Sequence, residues 1–238
     1  MRYLIKFSKE SDIKFISHLD LMRSIQKIIK RAGLPIEYSK GFNPHMSISL
    51  AQPLSVGMYS LGEYADIVFT EDLDEEYIKD KLNNNAPEAI NFIEVIKVPK
   101  KPEGEKKVPK SMAAIDAAKY TINIKYNSTK NLKEELIKMN QRKEWNIIKK
   151  FKKGVEKQVN IKPLLKKFNY SIDNNNLKLQ VLLSCGSREN LSADTLAKYI
   201  QENTTEVNKC AFINIKREEM YGIVNKELVP LYKYVTMI

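Results

Sequence analysis

The sequence predicts an α+β fold, a duplicated ferredoxin-like sandwich of two βαββαβ units whose antiparallel sheets carry helices on one face. Three observations predict it: short runs of alternating apolar residues, longer runs with apolar residues at helical spacing, and the same strand–helix–strand–strand–helix–strand order in both halves. With 238 residues the chain is long enough for two domains of ordinary size. We place the domains at residues 1–98 and 113–238, with a linker at 99–112.

The first half supplies its elements in that order. "RYLIKFS" alternates as a strand does, and a helix follows from Ser17, a good N-cap, to Gly33, which ends it. "HMSISLA" and "EYADIVFT" are the next two strands. "DEEYIKDKLNNNAP" is a helix with acidic residues in its first turn, and "INFIEVIKV" is the last strand.

The linker and the second half follow. "PKKPEGEKKVPKSM" has three Pro and one Gly and no apolar periodicity. "KYTINIKY" predicts a strand, "NLKEELIKMNQ" a helix, "EWNIIKKFKK" and "LKLQVLLS" two strands, "SADTLAKYIQEN" a helix and "AFINIKREEMYGI" a final strand. The segment "NIKPLLKKFNYSID" has no clear assignment, because Pro163 argues against a central strand.

The composition, 43% apolar and 29% charged, is that of a globular protein and excludes a disordered or fibrous chain. No segment approaches the ~20 apolar residues that span a bilayer. The N-terminus lacks the apolar region of a signal peptide, so we expect a cytoplasmic protein without a membrane partner. Two cysteines and two histidines are not spaced as metal ligands, and we expect neither a metal nor a cofactor.

The net charge of +11 suggests a polyanionic partner, and residues 142–167 hold 10 basic against 2 acidic residues. Lysines interleaved with aromatic residues are the combination that binds single-stranded nucleic acid. The alternative is an edge hairpin protected by lysines, with its aromatic rings turned inward. The candidate nucleic-acid residues are Lys149, Lys150, Lys152, Lys153, Lys157, Trp145 and Phe151.

Two polar segments predict a pocket. His18 lies in the first turn of the first helix, where the helix dipole disfavours its protonated form. His45 closes "GFNPH", a loop stiffened by Pro44. The alternative is a solvated helix face and a plain connection between strands. The predicted pocket consists of His18, Asp20, Arg23, Tyr38, Lys40, Asn43, His45, Glu63 and Tyr64.

The stretch "FISHLDLMRSIQKIIKRAGLPIEYSKGFNPHMSISLAQPLSVGMYSLGEYADI" resembles the radical SAM-linked (radical SAM-associated) protein family, whose domain is known as DUF2344. The matches include "SHLDL", "RAGLP", "YS", "GFNPH", "PL", "G" and "EY". Asn160 and Lys162 stand where the family more often has Asp and Arg, and Met46 stands where many members have Pro.

The resemblance implies an accessory role. Members of the family occur alone or fused behind a radical SAM domain, often encoded near genes for ribosome and RNA processing, and the CxxxCxxC motif of a radical SAM enzyme is absent from this sequence. We therefore expect a binding module, not an enzyme on its own, that partners a separately encoded radical SAM enzyme and binds RNA or a ribosomal component. The alternatives are a metal-independent RNA-processing enzyme that uses His18 and His45 as acid and base, and a binder of small molecules or peptides.

Overall fold

The structure is a computed structural model that describes residues 1–105, 107–150 and 156–238. The chain divides into two compact units. The first unit comprises Met1–Ala117 and Arg217–Ile238, and the second comprises Ala118–Lys216. The strand pairing is mostly antiparallel, which confirms the α+β class.

Eleven strands and six helices are described. In chain order they are β1 (Arg2–Lys9), α1 (His18–Arg31), β2 (Ile48–Leu50), β3 (Met58–Val68), α2 (Glu75–Asn83), β4 (Phe92–Lys97), α3 (Ser111–Ala114), β5 (Ala117–Lys125), α4 (Leu132–Gln141), β6 (Asn146–Lys150), β7 (Glu156–Asn160), β8 (Leu165–Asp173), β9 (Asn176–Ser184), α5 (Ala193–Glu202), β10 (Asn214–Val224), β11 (Glu227–Pro230) and α6 (Leu231–Met237). No helix among the described residues is long and apolar enough to cross a membrane.

The sheet of the first unit has the strand order β4-β1-β3-β10, with β2 also paired to β3 and β11 to β10. Strand β1 is antiparallel to both neighbours, so that Ile5 pairs with Ala65 on one side and with Val95 on the other. Alternate side chains of β1 and β3 face helices α1 and α2 in one apolar core. The core includes Tyr3, Ile5, Phe7, Leu21, Ile25, Ile28, Ile29, Ala65, Ile67, Ile78 and Leu82.

Helix α1 begins and ends where the sequence predicts. The Ser17 hydroxyl caps it by accepting a hydrogen bond from the backbone N–H of Asp20. Gly33 follows the last turn with φ +66°, a conformation that costs glycine little. These two end signals fix the position of His18, the first helical residue.

The predicted linker does not run free for its whole length. Val108 and Ser111 are buried, and Arg2 donates hydrogen bonds to the backbone oxygens of Val108 and Pro109. The Asp66 carboxylate of β3 accepts bonds from both the backbone N–H and the hydroxyl of Ser111. Residues 108–111 are therefore part of the first unit.

The end of the chain also belongs to the first unit, where the sequence places it in a domain at 113–238. Strand β10 begins in the second unit and continues into the first, so that residues from Arg217 onward return there. The sequence gives no sign of this return, because β10 looks like any closing strand of a second repeat.

The sheet of the second unit has the order β5-β9-β8, and β6 and β7 form a separate two-stranded hairpin. Four strands therefore lie between α4 and α5, where the sequence predicts two. The unassigned segment explains the difference. Pro163 lies in a 3-10 turn at Lys162–Leu164, outside any strand, and β8 starts directly after it.

Candidate functional site

Three charged side chains form a buried cluster at the end of β1. The Arg217 guanidinium donates from Nε to Glu63 Oε1 at 3.0 Å and from a terminal nitrogen to the Gln52 backbone oxygen at 2.8 Å. Lys9, Glu63 and Arg217 are each less than 5% exposed. We call these three residues the Lys9 cluster. Two cations and one carboxylate leave it with one positive charge in excess when all three groups are ionised.

The Lys9 ammonium donates to the backbone oxygens of Lys14 at 3.1 Å and Ile16 at 3.2 Å, just before α1. Burial lowers the pKa of Lys9, the nearby Arg217 charge adds to that effect, and the Glu63 charge opposes it. Lys9 thus ties the segment that leads into "SHLDL" to the end of β1. Its hydrogen bonds make it a positioning group for the start of α1.

A second cluster joins β1, β3 and β10. The Tyr64 hydroxyl donates to Glu219 Oε1 at 2.7 Å, and Lys6 Nζ lies 2.6 Å from Glu219 Oε2. Lys6 also lies 5.1 Å from the centroid of the Tyr232 ring in α6. Burial raises the pKa of Tyr64, and the charge of Glu219 raises it further. We call Lys6, Tyr64 and Glu219 the Glu219 cluster.

Two residues of the predicted pocket are thereby reassigned. Glu63 and Tyr64 do not present free polar groups to a ligand, because their side chains are buried and bonded to β10. Sequence reasoning did not find Lys9, Arg217 or Glu219. The one available signal was a lysine at the end of an apolar strand, whereas the β10 partners lie about 155 residues farther along the chain.

The first predicted wall of the pocket is the start of α1. It is an ordinary capped helix start, except that one buried nitrogen of His18 has no described partner. Asp20 accepts from the Ser17 hydroxyl at 2.7 Å and from Arg23 at 3.0 Å, and these two contacts lower its pKa. Asp20 and Arg23 are both exposed. His18 is half-buried, and its Nδ1 atom is buried with no hydrogen-bond partner among the described residues.

The second predicted wall is a hairpin excursion. Tyr38 pairs with Met46, the Ser39 N–H donates to the His45 oxygen at 2.8 Å, and the His45 N–H donates to the Ser39 hydroxyl at 2.9 Å. Those bonds close the base of the loop. The side chains that it presents to solvent include Tyr38, Lys40, Phe42, Asn43 and His45.

The strand pairings place the two predicted walls, the start of α1 and the hairpin at residues 37–47, near opposite ends of β3. The base of the hairpin bonds to Val68 through Glu37 and Ser47, whereas the segment before α1 lies at the other end, where Lys9 pairs with Ser60. The eight steps along the strand from Ser60 to Val68 span about 26 Å at the usual rise per residue of a strand. The pairings therefore give no support to a single pocket that holds both His18 and His45, and their convergence stays a prediction.

The basic hairpin β6–β7 places Lys149 directly opposite Lys157 and the exposed Ile148 opposite Gln158. Trp145 is fully buried: its ring stacks on Tyr199 at 5.2 Å and its Nε1 donates to the Met139 oxygen at 3.0 Å. Its ring is therefore not available for a base to stack on. The predictions for Phe151, Lys152, Lys153 and the side chain of Lys150 lie outside the described residues.

The positive charge of the protein belongs to one unit. The second unit holds 20 Lys and Arg against 9 Asp and Glu, a net charge of +11. The first unit holds 20 of each and is neutral. The local basic excess that the sequence shows at 142–167 is thus part of a strongly basic unit.

Comparison with known proteins gives a family and weak structural likenesses. No curated protein matches the chain. The crystal structure of a Cbf5-Nop10-Gar1 complex has a chain that matches 98% of this chain at 10% identity with a TM-score of 0.49, and this protein spans only 54% of that chain. An unknown protein from Galdieria sulphuraria matches over 94% of this chain and 98% of its own at 10% identity, with a TM-score of 0.25.

The family is established by a match over most of the sequence. The model of the family described as "Uncharacterized protein conserved in bacteria (DUF2344)" covers residues 2–193, which include "SHLDL", "GFNPH" and "GEYAD". This confirms the resemblance seen in the sequence, and the chain belongs to the DUF2344 family.

Proposed function

We propose that this protein is a cytoplasmic accessory binding module that partners a separately encoded radical SAM enzyme and presents RNA or a ribosomal component to it. One observation carries the proposal. The side chains of Glu63, Tyr64 and Asp66 in "GEYAD" are buried and hydrogen-bonded within the protein, whereas several large apolar side chains of the motif segments, residues 15–67, are exposed to solvent. Within residues 15–67 the exposed large apolar residues are Phe15, Leu19, Tyr38, Phe42, Val56 and Leu61.

Buried ionisable groups beside exposed apolar side chains favour binding over catalysis. Glu63, Tyr64 and Asp66 are each less than 5% exposed and bonded within the protein, so they supply no acid or base to a substrate. Leu19 is 63% exposed in the first turn of α1, and Phe42 is fully exposed at the tip of its hairpin. Large apolar and aromatic side chains are the groups that anchor protein interfaces.

The fold of the first unit supports a scaffold role. We propose that residues 1–98 form a ferredoxin-like unit, because the element order β1-α1-β2-β3-α2-β4 is combined with the strand order β4-β1-β3 and with β2 on β3. The second half has four strands between its two helices. The duplication of the unit therefore stays a prediction.

RNA as the substrate class is supported by charge. A net +11 within the second unit attracts a polyanion, and Lys149 and Lys157 face each other on its hairpin. RNA cleavage by His18 and His45 is not proposed. The strand pairings attach the segment before α1 and the hairpin that carries His45 to opposite ends of β3. The small-molecule or peptide alternative stays a prediction.

The test measures binding between the purified protein and each radical SAM enzyme encoded in the same genome. We expect one of them to bind, and we expect Phe42→Ser or Leu19→Ser to weaken that binding about tenfold, the loss of ~1.4 kcal/mol expected of an interface anchor. Tyr77→Ser is the matched control, because Tyr77 is 48% exposed on α2, outside the motif segments.

Two outcomes would overturn the proposal. The first is that no radical SAM enzyme binds the wild-type protein. The second is that Phe42→Ser and Leu19→Ser bind as tightly as Tyr77→Ser does.

A further inference from the structure

The two faces of the β5-β9-β8 sheet differ in chemistry. Along β9, Leu177, Leu179, Val181 and Leu183 are almost fully buried on one face. The residues between them are Lys178 and Gln180, which are exposed, and the half-buried Leu182. Since alternate residues of a strand point to opposite faces, β9 separates an apolar core face from a polar solvent face.

The partner strand continues the polar face. In β8, Lys167, Asn169 and Ser171 are exposed at alternate positions. The register places Asn169 directly opposite Gln180 and Ser171 directly opposite Lys178. Side chains opposite each other in such a pair lie about 5 Å apart, so the four form one contiguous patch.

A shallow cleft of about 130 Å³ lies on this patch. It is lined by Asn169, Tyr170, Ser171, Lys178 and Gln180. The lining side chains that lie on the polar face are two amides, one hydroxyl and one ammonium, and none of the lining residues is a carboxylate, whereas Tyr170 pairs with the buried Leu179 and belongs to the other face. Amide side chains both donate and accept hydrogen bonds, as the edge of an unpaired base requires, and an ammonium attracts phosphate.

The surroundings favour an anionic ligand. The patch belongs to the unit with the net charge of +11. On the neighbouring hairpin in sequence, Lys149 lies directly opposite Lys157, which adds two more basic side chains to this unit. Strand β8 is at the edge of the β5-β9-β8 order, so a ligand can reach the patch past that edge.

We propose that the polar face of the β8–β9 hairpin binds single-stranded RNA, with Asn169 and Gln180 contacting base edges and Lys178 and Lys167 contacting phosphates. This inference rests on the RNA part of the proposed function and names its surface. An unpaired strand fits better than a duplex, because amides reach base edges only where the bases are not already paired in a deep groove.

The test uses the full chain and a fluorescein-labelled 20-nucleotide RNA of mixed, unstructured sequence, with binding followed by anisotropy at low salt. Lys178→Glu should weaken binding about tenfold, and Asn169→Ala with Gln180→Ala should weaken it several-fold. Lys133→Glu is the matched control: Lys133 is exposed on α4, and the substitution changes the net charge by the same two units. We expect it to weaken binding less than threefold.

The outcomes separate the two levels of the proposal. If Lys178→Glu and Lys133→Glu weaken binding equally, only net charge matters, and the assignment of the face is overturned while RNA binding stands. If a duplex of the same sequence binds as tightly as the single strand, the assignment is overturned too. If the wild-type protein binds no RNA at low salt, both this inference and the RNA part of the proposed function fail.

Discussion

The two units of the protein use their charged residues in opposite ways. Five charged side chains are buried among the described residues, and all five belong to the first unit: Lys9, Glu63, Asp66, Arg217 and Glu219. The first unit has equal numbers of positive and negative side chains, whereas the second has an excess of 11 positive ones. The first unit therefore buries part of its charge within its own structure, whereas the second unit buries no charged side chain among the described residues.

The difference teaches what each set of charges can achieve. A buried ion pair must overcome a large desolvation penalty, so it adds little net stability but penalises every arrangement that leaves one partner alone. In the first unit the Arg217–Glu63 ion pair and the hydrogen bond from Tyr64 to Glu219 fix β10 against β3. In the second unit the net positive charge is self-repulsive, and an anionic partner would reduce that repulsion.

The largest loss of unfolding free energy is expected for a substitution of Trp145. This substitution tests whether the aromatic ring belongs to the core of the second unit or binds a ligand. Trp145→Ala should cost about 4 kcal/mol of unfolding free energy, because the side chain is fully buried between Tyr199 and Phe168. Urea unfolding followed by far-UV circular dichroism measures the loss. A variant with unchanged stability but weaker RNA binding would show instead that the ring serves the ligand.

A slightly smaller effect tests the buried pair of the first unit. Arg217→Met should cost about 3 kcal/mol, because it leaves the Glu63 carboxylate buried beside Lys9 alone. Urea unfolding measures the loss, and adding Glu63→Gln should restore part of it.

The control for that pair comes from the second unit. Lys198 and Asp194 form an ion pair of 2.8 Å in which both side chains are exposed, so Lys198→Met should cost less than about 0.5 kcal/mol. Equal losses in Arg217→Met and Lys198→Met would erase the contrast between buried and exposed charge on which the comparison of the two units depends.

The contact of β3 with β10 offers a third test, one of packing and not of charge. A Cβ atom at Gly62 would lie 2.8 Å from the Glu218 backbone oxygen and 2.8 Å from Glu219 Cα. Gly62→Ala should therefore cost about 2 kcal/mol, since rigid backbone must move. Gly33→Ala meets no atom within 4 Å but has φ +66°, so it should cost about 1 kcal/mol through backbone strain alone. A greater loss at Gly33 would mean that the two strands separate easily at Gly62.

Local signals in the sequence were sufficient for much of the first unit. Ser17 and Gly33 mark the ends of α1 by capping and by positive φ, both of which depend on neighbouring residues only. The same holds for Asp74, whose side chain caps α2 by accepting from the Tyr77 N–H. The alternation of "EYADIVFT" also located the second half of β3, whereas the strand itself begins five residues earlier, at Met58.

Contacts between residues far apart in the sequence could not be predicted, because local signals carry no information about distant partners. Nothing near Glu63 in the sequence indicates a partner at Arg217, so Glu63 looked like a free carboxylate at a strand end. Trp145 looked available among lysines, because an alternating strand pattern does not say which face a sheet covers. Pro163 correctly excluded a strand at its own position, but it could not show that a strand starts two residues later.

A further test, with an expected loss just below that of Gly62→Ala, concerns the Glu219 cluster and its dependence on pH. Tyr64→Phe removes one donor to Glu219, which keeps its bonds to Lys6 and to the Met220 N–H, so the loss near pH 8 should be about 1.5 kcal/mol. The pKa of Tyr64 is raised in the folded protein by burial first and by the Glu219 charge second. Its stabilising contribution is therefore complete below pH 10, where the unfolded tyrosine starts to ionise, and declines as the pH rises above 10. Urea unfolding of both proteins at pH 8, 10 and 11 should show the gap between them narrowing only at the highest pH. A gap that stays constant over this range would mean that the Tyr64 hydroxyl ionises as readily in the folded protein as in the unfolded chain, and that the Glu219 cluster is open to water.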